Sequence, residues 1–385
     1  MTSRTRTLVL TISVPVIAFA VIGGYLGQVL AKDDTYQHLR VFEDVVSLVL
    51  NNYVEEVNVT DAMRGAMKGL ADGLDPDSAY LNPDLAKTVD NSATPVGPAE
   101  IGVDLTRQYY LRIIAARDGS PAAKAGLRSG DFIRAIDGRP TRDMSAYEGN
   151  RLLHGAAGSK VHLLVIRGNA ADPHELDVVR ERIATPDLTS RMADATTGYI
   201  RLLAFSKDTP ARLKQAIDAL AKTKATRYVI DVRGTARGDL DDGVAAARLF
   251  MKSGTLAIRQ TKGDTRESIT AAAGDGAVTA PIALLVNQGT AGPAEVFAAA
   301  VDDNKRGELV GEQTIGRAAR QKLIRLPDGS ALLVSTLRYL TPDGKVIHEK
   351  GLEPDVEVDQ PEVEFGTEPP AGDPTLQKAL EQLAK

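Results

Sequence analysis

Hydrophobic positions dominate near the start of the chain, where residues 8–31 include no charged side chain. This run of 24 residues follows Arg4 and Arg6 and ends before Lys32. A helix needs about 20 apolar residues to cross a bilayer core, so the run is long enough to span one. A basic start, an apolar centre and the small residue Ala31 also fit a cleavable secretory signal. We predict that residues 1–31 are a signal peptide or an N-terminal membrane anchor, and we favour the uncleaved anchor. The rest of the chain is then exported.

Residues 35–95 are helical in pattern. Apolar residues recur at helical spacing in two stretches, namely Val41, Val45, Val46, Leu48 and Val49, then Ala62, Met63, Ala66, Met67 and Leu70. The segment LDPDSAY at 74–80 then has the Asp-Pro-Asp-Ser composition of a chain reversal. We predict a small helical region that holds no chemical site.

Residues 96–182 change to short runs of strand composition separated by glycine-rich turns. These runs are YYLRIIAA, FIRAI, KVHLLVIRG and HELDVVRE. Between the first two, Pro121 opens a short helix, Gly126 ends it, and Gly130 and Asp131 turn into the next strand. The pattern predicts a small domain built mainly of strands.

Residues 183–356 alternate between strands and helices. The strands read GYIRLLAF, RYVIDVRG and APIALLVN, and the helices read TPARLKQAIDALAKT, DDGVAAARLFMKSG and PAEVFAAAVDDN. Such a succession is typical of an α/β core with crossover connections. Residues 357–385 add a linker rich in Pro and Glu and a short terminal helix. The fold class is therefore an α+β multidomain protein.

The amino-acid composition argues against several classes of ligand and of catalytic chemistry. The net charge of −5 argues against nucleic acid, which is bound by a concentrated excess of Lys and Arg. Only 4% of residues are aromatic and Trp is absent, so platforms for stacking bases are not expected. The chain has no Cys, which excludes disulfides, thiol nucleophiles and Cys-ligated zinc. We predict no cofactor and no metal.

Candidate chemistry lies at one junction between a strand and a helix. The strand APIALLVN leads into the tight turn QGTAG, and Pro293 then fits the first helical position. Glu295 fits the first turn of that helix. Position 292 is therefore predicted at the helix N-cap, where backbone N–H groups favour an anion and where a nucleophile belongs. The residue at this position is Gly292.

Several motifs in order make the chain resemble the carboxyl-terminal processing peptidases, also called tail-specific proteases. They are the export signal, the LDP-S-Y turn, the GSPAAKAGLRSGD segment of a PDZ domain, the stretch from VNQGTAGPAEVF to GRAARQ, and the closing motifs RYLTPDGKVI and GLEPDVEV. The resemblance covers about 320 residues. It implies a helical N-terminal region at 35–95, a PDZ domain at 96–182 and a peptidase-like core at 183–356. Within that core it implies crotonase-like or ClpP-like sheets and helices.

The resemblance also implies a Ser–Lys dyad, in which a buried neutral Lys removes the proton of the attacking Ser. Carried onto this chain, the Ser falls on Gly292, the Lys on Arg317 and an assisting Gln on Gln321. The family's oxyanion-hole loop falls on Thr235, Ala236, Arg237 and Gly238. Glycine has no side-chain oxygen, and arginine stays protonated and cannot act as a base. We therefore predict that no intact catalytic set remains.

A PDZ domain adds an extended peptide to a sheet edge and holds its terminal carboxylate in backbone N–H groups. The resemblance places that carboxylate loop at Glu100, Ile101, Gly102 and Val103. Glu100 departs from the family's pattern at this loop. We expect it to weaken binding, because its negative charge repels a bound carboxylate. An alternative is that the domain is structural and has lost its ligand.

The sequence offers three substitutes for the dyad residues and a few candidates for metal binding. Thr290 is expected to be a turn residue, Lys322 a surface residue and Ser335 an ordinary strand residue. The histidines, which show no metal-ligand spacing, are His38, His154, His162, His174 and His348. The acidic residues expected to cap a helix are Asp239, Asp241 and Asp242, with a cation site as the alternative.

The favoured function is an exported pseudoprotease that binds polypeptide C-terminal tails or a protein partner such as an active protease or an adaptor. In this interpretation Arg317 and Arg237 are candidates to pair with a terminal carboxylate. One alternative is an active serine-type endopeptidase that uses a non-standard dyad on proteins with apolar C-termini. Another is a structural, homo-oligomeric scaffold. The predicted location is periplasmic or the extracytoplasmic face of the inner membrane, anchored by residues 8–31 if these are uncleaved.

Overall fold

A computed structural model describes residues 36–90, 97–168, 173–184, 186–361, 363–367 and 371–385. The predicted export segment at 1–31 lies outside these residues. Within the described part of the chain, no helix is both long enough and apolar enough to cross a membrane. The chain divides into two compact units, Met1–Met67 and Lys68–Lys385.

The first unit is helical where it is described. Helix α1 covers residues 36–52, and helix α2 (Val59–Asp72) starts in this unit and continues into the next. The side chain of Asn58 accepts hydrogen bonds from the backbone N–H groups of Thr60 and Asp61, which otherwise lack partners at a helix start. The helical pattern predicted from the apolar spacing is thus confirmed for these residues.

The second unit opens with the strand β1 (Ala79–Leu81) and the helix α3 (Pro83–Asp90), followed by an antiparallel sheet. The order in this sheet is β2-β3-β4-β6-β7, with β5 paired to β4. Its strands are β2 (Val103–Gln108), β3 (Tyr110–Ala116), β4 (Phe132–Ile136), β5 (Arg139–Pro140), β6 (Lys160–Ile166) and β7 (His174–Val179). Its helices are α4 (Pro121–Lys124) and α5 (Ala146–Leu153). The inward side chains of the sheet and these helices form one buried core, so this part is a small β domain.

A six-stranded sheet forms the centre of the second unit, in the order β17-β14-β13-β10-β9-β8. Its strands are β8 (Leu188–Met192), β9 (Thr197–Leu202), β10 (Arg227–Asp231), β13 (Ile282–Val286), β14 (Gly307–Gly311) and β17 (Val356–Glu357). The pairs from β9 to β17 are parallel, and β8 is antiparallel to β9. Parallel neighbours must be joined by crossover connections. The helices in these connections are α6 (Thr209–Lys222), α7 (Leu240–Arg248) and α8 (Pro293–Asp303).

Helices cover both faces of this sheet. The crossover helices pack on one face in the largest buried core of the chain. The terminal helix α9 (Pro374–Ala384) packs on the other face, where Ala379 meets Val229, Leu285 and Val310. All five residues of β13 are buried, as expected for a strand covered on two faces. The predicted α/β core is present.

A third sheet has five strands, in the order β1-β16-β11-β12 with β15 also paired to β16. Its further strands are β11 (Thr255–Thr261), β12 (Thr265–Thr270), β15 (Ala319–Arg325) and β16 (Ala331–Leu340). Strand β1 follows the LDPDS turn, so this sheet includes residues 79–81 of the segment predicted as helical. The overall α+β architecture predicted from the sequence is confirmed, and the predicted domain boundaries stay predictions.

Candidate active-site junction

The junction between β13 and α8 is held by hydrogen bonds within its turn and to the segment that follows β10. The Asn287 side-chain oxygen accepts from the N–H groups of Gly234 at 2.9 Å and Gly289 at 3.0 Å. The Thr290 hydroxyl donates to the carbonyl of Val232 at 2.9 Å and accepts from the N–H of Asn287. Thr290 is fully buried, so its oxygen supports the turn and is not presented to a substrate.

Gly292 is the N-cap of α8, as the sequence predicts, and its backbone has φ 61° and ψ −120°. L-residues rarely adopt this conformation, whereas glycine does so without steric cost. A Cβ atom added here meets Ala236 O at 3.6 Å and Arg317 O at 3.7 Å, both ordinary contacts. A larger residue therefore has room at position 292, but its backbone is strained.

Glu295 joins the two positions that the resemblance assigns to the dyad. Its carboxylate accepts hydrogen bonds from the N–H groups of Gly292 at 3.1 Å, Gly316 at 2.6 Å and Arg317 at 2.7 Å, and from the hydroxyl of Thr314. Burial raises the pKa of Glu295 to about 7, although each of these donors opposes the rise. The sequence pattern places Glu295 only in the first helical turn, and this role was not predicted.

Arg317 is held by a carboxylate from a distant part of the second unit. Its Nε donates to Asp77 Oδ2 at 2.9 Å, and Asp77 is buried in the turn that precedes β1. The negative charge of Asp77 raises the pKa of the Arg317 guanidinium above its ordinary value. The side chain is therefore a cation in an ion pair. The LDP-S-Y motif is the sequence signal for this contact, but it predicted only a chain reversal and the family resemblance, not the ion pair.

The loop that resembles an oxyanion hole is tied to the core by its backbone. The Thr235 carbonyl accepts from the N–H of Ala291, and the Arg237 carbonyl accepts from the N–H of Phe205 at 2.8 Å. Gly238 has φ +124°, and a Cβ there would lie 2.4 Å from the Phe205 carbonyl oxygen. Glycine is required at this one position, whereas the side chain of Arg237 extends outward and is 48% exposed.

The small β domain lies directly over the turn before Gly292. Ile114 and Ala115 of β3 pack against Ala291, and all three are fully buried. Arg112 also donates to the Gln288 side-chain oxygen at 2.6 Å. Gly292, which follows Ala291 in the chain, is also buried.

Comparison with known proteins identifies the relatives of this architecture. Residues 196–358 match the model of peptidase family S41, and residues 112–167 match a PDZ domain. The chain is 32% identical over 362 residues to the carboxyl-terminal-processing protease of Synechocystis sp., a match covering 91% of this chain and 83% of that protein. The chain belongs to peptidase family S41.

Two further relatives agree with this assignment. The carboxy-terminal processing protease CtpA of Bacillus subtilis is 30% identical over 316 residues, covering 82% of this chain and 67% of that protein. The structure of the photosystem II D1 C-terminal processing protease is similar with a TM-score of 0.69 and 31% identity. That match covers 78% of this chain and 82% of the other. The S41 core and the PDZ domain predicted from the sequence are both confirmed.

The predicted carboxylate loop of the PDZ domain lies at the edge of its sheet. Ile101 is fully buried, and the Gly102 carbonyl accepts from the N–H of Arg117 at 2.9 Å. Gly102 has φ +86°, and a Cβ there would lie 2.4 Å from Ser120 Cβ. Val103 begins β2, the edge strand, which contacts helix α5. This is the type of edge to which PDZ domains add a peptide strand.

The negative charge of Glu100 lies beside two arginines, which the sequence pattern does not reveal. It forms an ion pair with Arg117, and Arg237 and His154 lie 3.8 Å and 3.6 Å away. Burial alone would raise the pKa of Glu100, but the hydrogen bond and charge of Arg117 outweigh burial and lower it. Arg237 thereby connects the S41 loop to the PDZ domain.

The remaining candidates occupy structural positions. Gln321 and Lys322 lie on β15, opposite Ser335 and Val334 of β16, and Lys322 is exposed. Asp239 is the N-cap of α7 and forms a capping box with Asp242, so the predicted capping role is confirmed. The described residues include no group of His, Asp and Glu arranged to hold a metal ion.

Proposed function

We propose that this chain is a non-catalytic member of peptidase family S41 that binds polypeptide C-terminal tails through its PDZ domain, or holds a protein partner such as an active protease. The observation that carries the proposal is the pair of residues at the junction. Position 292 has no side-chain oxygen, and position 317 holds a guanidinium paired with Asp77. We also propose that the chain is exported and acts at the extracytoplasmic face of the membrane.

The chemistry of a Ser–Lys dyad requires a nucleophilic oxygen and a neutral amine that accepts its proton. Gly292 cannot form a covalent acyl intermediate, because its backbone has no nucleophilic side-chain atom. Arginine has a pKa above about 12 in water, and pairing with Asp77 raises it further. The missing oxygen and the permanent cation each prevent the reaction, so restoring only one of them is not expected to restore cleavage.

A non-standard dyad finds no support at the junction. The Thr290 hydroxyl donates to a backbone carbonyl and is buried, and Lys322 is exposed on β15. The Arg317 guanidinium is poorly placed to pair with a terminal carboxylate, because its Nε already donates to Asp77. Arg237 pairs loosely with Glu100 at 3.8 Å. Tail binding is therefore assigned to the PDZ edge and not to the former cleft.

Tail binding is tested with fluorescent ten-residue peptides that end in apolar residues, each compared with its C-terminal amide. We expect the purified full-length chain to bind the free-acid peptides and to bind the amides at least about tenfold more weakly, because the amide lacks the terminal charge. The variant Gly102→Val is expected to lose this binding, since the new side chain collides with Ser120 at the predicted carboxylate loop. Equal binding of acids and amides would contradict PDZ recognition. Absence of binding to both would favour the structural scaffold.

A further inference from the structure

The connection between β17 and α9 reaches from the S41 core to the PDZ domain. It covers residues 358–373, which makes it longer than most connections in compact domains. Residues 363–367 of this connection lie against the PDZ domain and are called the linker clasp here. Phe365, at the centre of the clasp, packs against the buried core of the PDZ domain.

The ring of Phe365 contacts an imidazole and a guanidinium of the PDZ domain. It stacks on His174, the first residue of β7, with ring centroids 4.4 Å apart and an angle of 13° between the ring planes. The Arg167 guanidinium lies 4.7 Å from the centroid of the same phenyl ring. A stacked ring and a cation–π contact both favour an aromatic side chain over an aliphatic one at this position.

Arg167 is oriented by the PDZ domain itself. Its Nε and Nη2 donate to the two carboxylate oxygens of Asp131, each at 2.7 Å, and Asp131 is only 1% exposed. Nη2 also donates to the Gly126 carbonyl at 2.6 Å, while Nη1 donates to the Val363 carbonyl of the clasp at 3.4 Å. Because groups of the PDZ domain hold this guanidinium, little ordering is left for the clasp to impose on it.

The charges of the clasp and of this part of the PDZ domain are complementary. Arg128 lies near Arg167, and burial and then the positive charge of Arg167 lower the pKa of Arg128. The Asp131 carboxylate offsets one of these two arginines, which leaves one positive charge among the three residues. The clasp brings Glu364 to the same cavity wall, and residues 357–368 include acidic residues but no Lys or Arg.

Both ends of the connection are fixed on the S41 core. Strand β17 pairs with β14 through Val356 and Glu357. Before α9, the Asp373 carboxylate accepts from Arg233 Nη1 at 3.0 Å and from Nη2 at 2.7 Å, and it also caps the helix. With its two ends held on the core, the clasp opposes movement of the PDZ domain away from the core through the contacts of Phe365.

We propose that the PDZ domain has a second binding site, formed by Arg167 and His174, for an internal aromatic residue that follows an acidic one, and that Phe365 of the chain's own linker occupies it. His174 lies on β7, the edge strand opposite β2, so this site is separate from the edge assigned to tails. It requires no terminal carboxylate. The inference goes beyond the proposed function, because it holds whether or not the chain binds tails.

Hydrogen exchange on the purified full-length chain tests whether the clasp holds the PDZ domain on the core. The N–H of Ala291 is bonded to Thr235 and lies beneath β3, so it reports on separation of the two domains. Phe365→Ala is expected to speed its exchange at least about tenfold, whereas Phe365→Tyr keeps the ring and should exchange as the native chain does. The matched control is Tyr109→Ala, which removes an exposed ring from the same domain.

Native exchange at Ala291 in the Phe365→Ala chain would overturn the proposal. If that variant does not fold, His174→Ala removes the other ring of the stack, and the same increase in exchange is expected.

A peptide added in trans tests the binding site itself. Acetylated and amidated Val-Glu-Phe-Gly-Thr-Glu has the sequence of residues 363–368 and no terminal carboxylate. In a histidine-labelled NMR sample of the Phe365→Ala chain, we expect it to shift the ring resonances of His174 and to leave those of His162 on β6 unchanged. The native chain should need at least about tenfold more peptide, because its own Phe365 competes at high effective concentration. Unchanged His174 resonances in the Phe365→Ala chain, or equal shifts by a peptide that lacks the phenyl ring, would overturn the proposed site.

Discussion

Restoring a serine at position 292 is expected to destabilise the protein, although there is room for the side chain. The nearest atoms to a new Cβ are at 3.6 Å or more, so no steric collision opposes the change. The cost arises from the backbone, because φ 61° with ψ −120° is rarely adopted by L-residues. Such conformations cost about 1–3 kcal/mol each, and we expect Gly292→Ser to lower the unfolding free energy of the S41 core by that amount.

Differential scanning calorimetry on the native and Gly292→Ser chains measures this cost, and the core transition should shift down by a few degrees. Gly119→Ser is the matched control, because Gly119 has φ +71° with nothing within 4 Å of a new Cβ. That variant places a serine at a positive φ outside the S41 core and should leave the core transition unchanged. A Gly292→Ser chain as stable as the native protein would refute the inference that an L-residue is strained at the start of α8.

Three further predictions concern the surroundings of the junction. Because burial raises the folded-state pKa of Glu295 from 4.5 to about 7, its contribution to stability is present below pH 4.5 and is lost as pH rises through 7. The contribution amounts to about 3 kcal/mol of unfolding free energy. Urea unfolding from pH 4.5 to 8 should therefore show a steeper fall in unfolding free energy for the native chain than for Glu295→Gln. Parallel pH profiles of the two chains would contradict a raised pKa of Glu295. Asp77→Asn removes the ion pair with Arg317 and should cost about 1–3 kcal/mol, with a smaller cost in an Arg317→Gln background, as measured by a double-mutant cycle. Ile114→Ala should cost about 2–4 kcal/mol and speed hydrogen exchange at Ala291, and unchanged exchange there would show that β3 does not cover the turn.

The parts of the site that follow local rules were predictable from the sequence. Pro293 and Glu295 mark the start of α8, and this places Gly292 at its N-cap. Asp239 and Asp242 form their capping box within one turn of chain, so that role was equally accessible. The strands and helices of the S41 core were predictable from the local spacing of hydrophobic residues.

The contacts that close the site join residues far apart in sequence. Asp77 and Arg317 pair across 240 positions, and neither residue type specifies its partner. The positions of Arg117 and Arg237 beside Glu100 depend on how the PDZ domain packs on the S41 core, and the sequence pattern does not contain that geometry. The repulsion predicted at Glu100 does not include these two cations, and it stays a prediction. The four hydrogen bonds to Glu295 likewise require Thr314 and Gly316 to fold back onto α8.

A cleavage assay followed by mass spectrometry tests the loss of catalysis most directly. Unfolded proteins with apolar C-termini are incubated with the native full-length chain, with Gly292→Ser/Arg317→Lys and with Gly292→Ala/Arg317→Lys. The Ala variant controls for a contaminating protease, because it restores the amine without the oxygen. We predict that the native chain yields no cleavage products, since it has neither a nucleophile at 292 nor a base at 317. Cleavage by the native chain at a rate above that of the Ala control would contradict the account and require a nucleophile elsewhere in the chain.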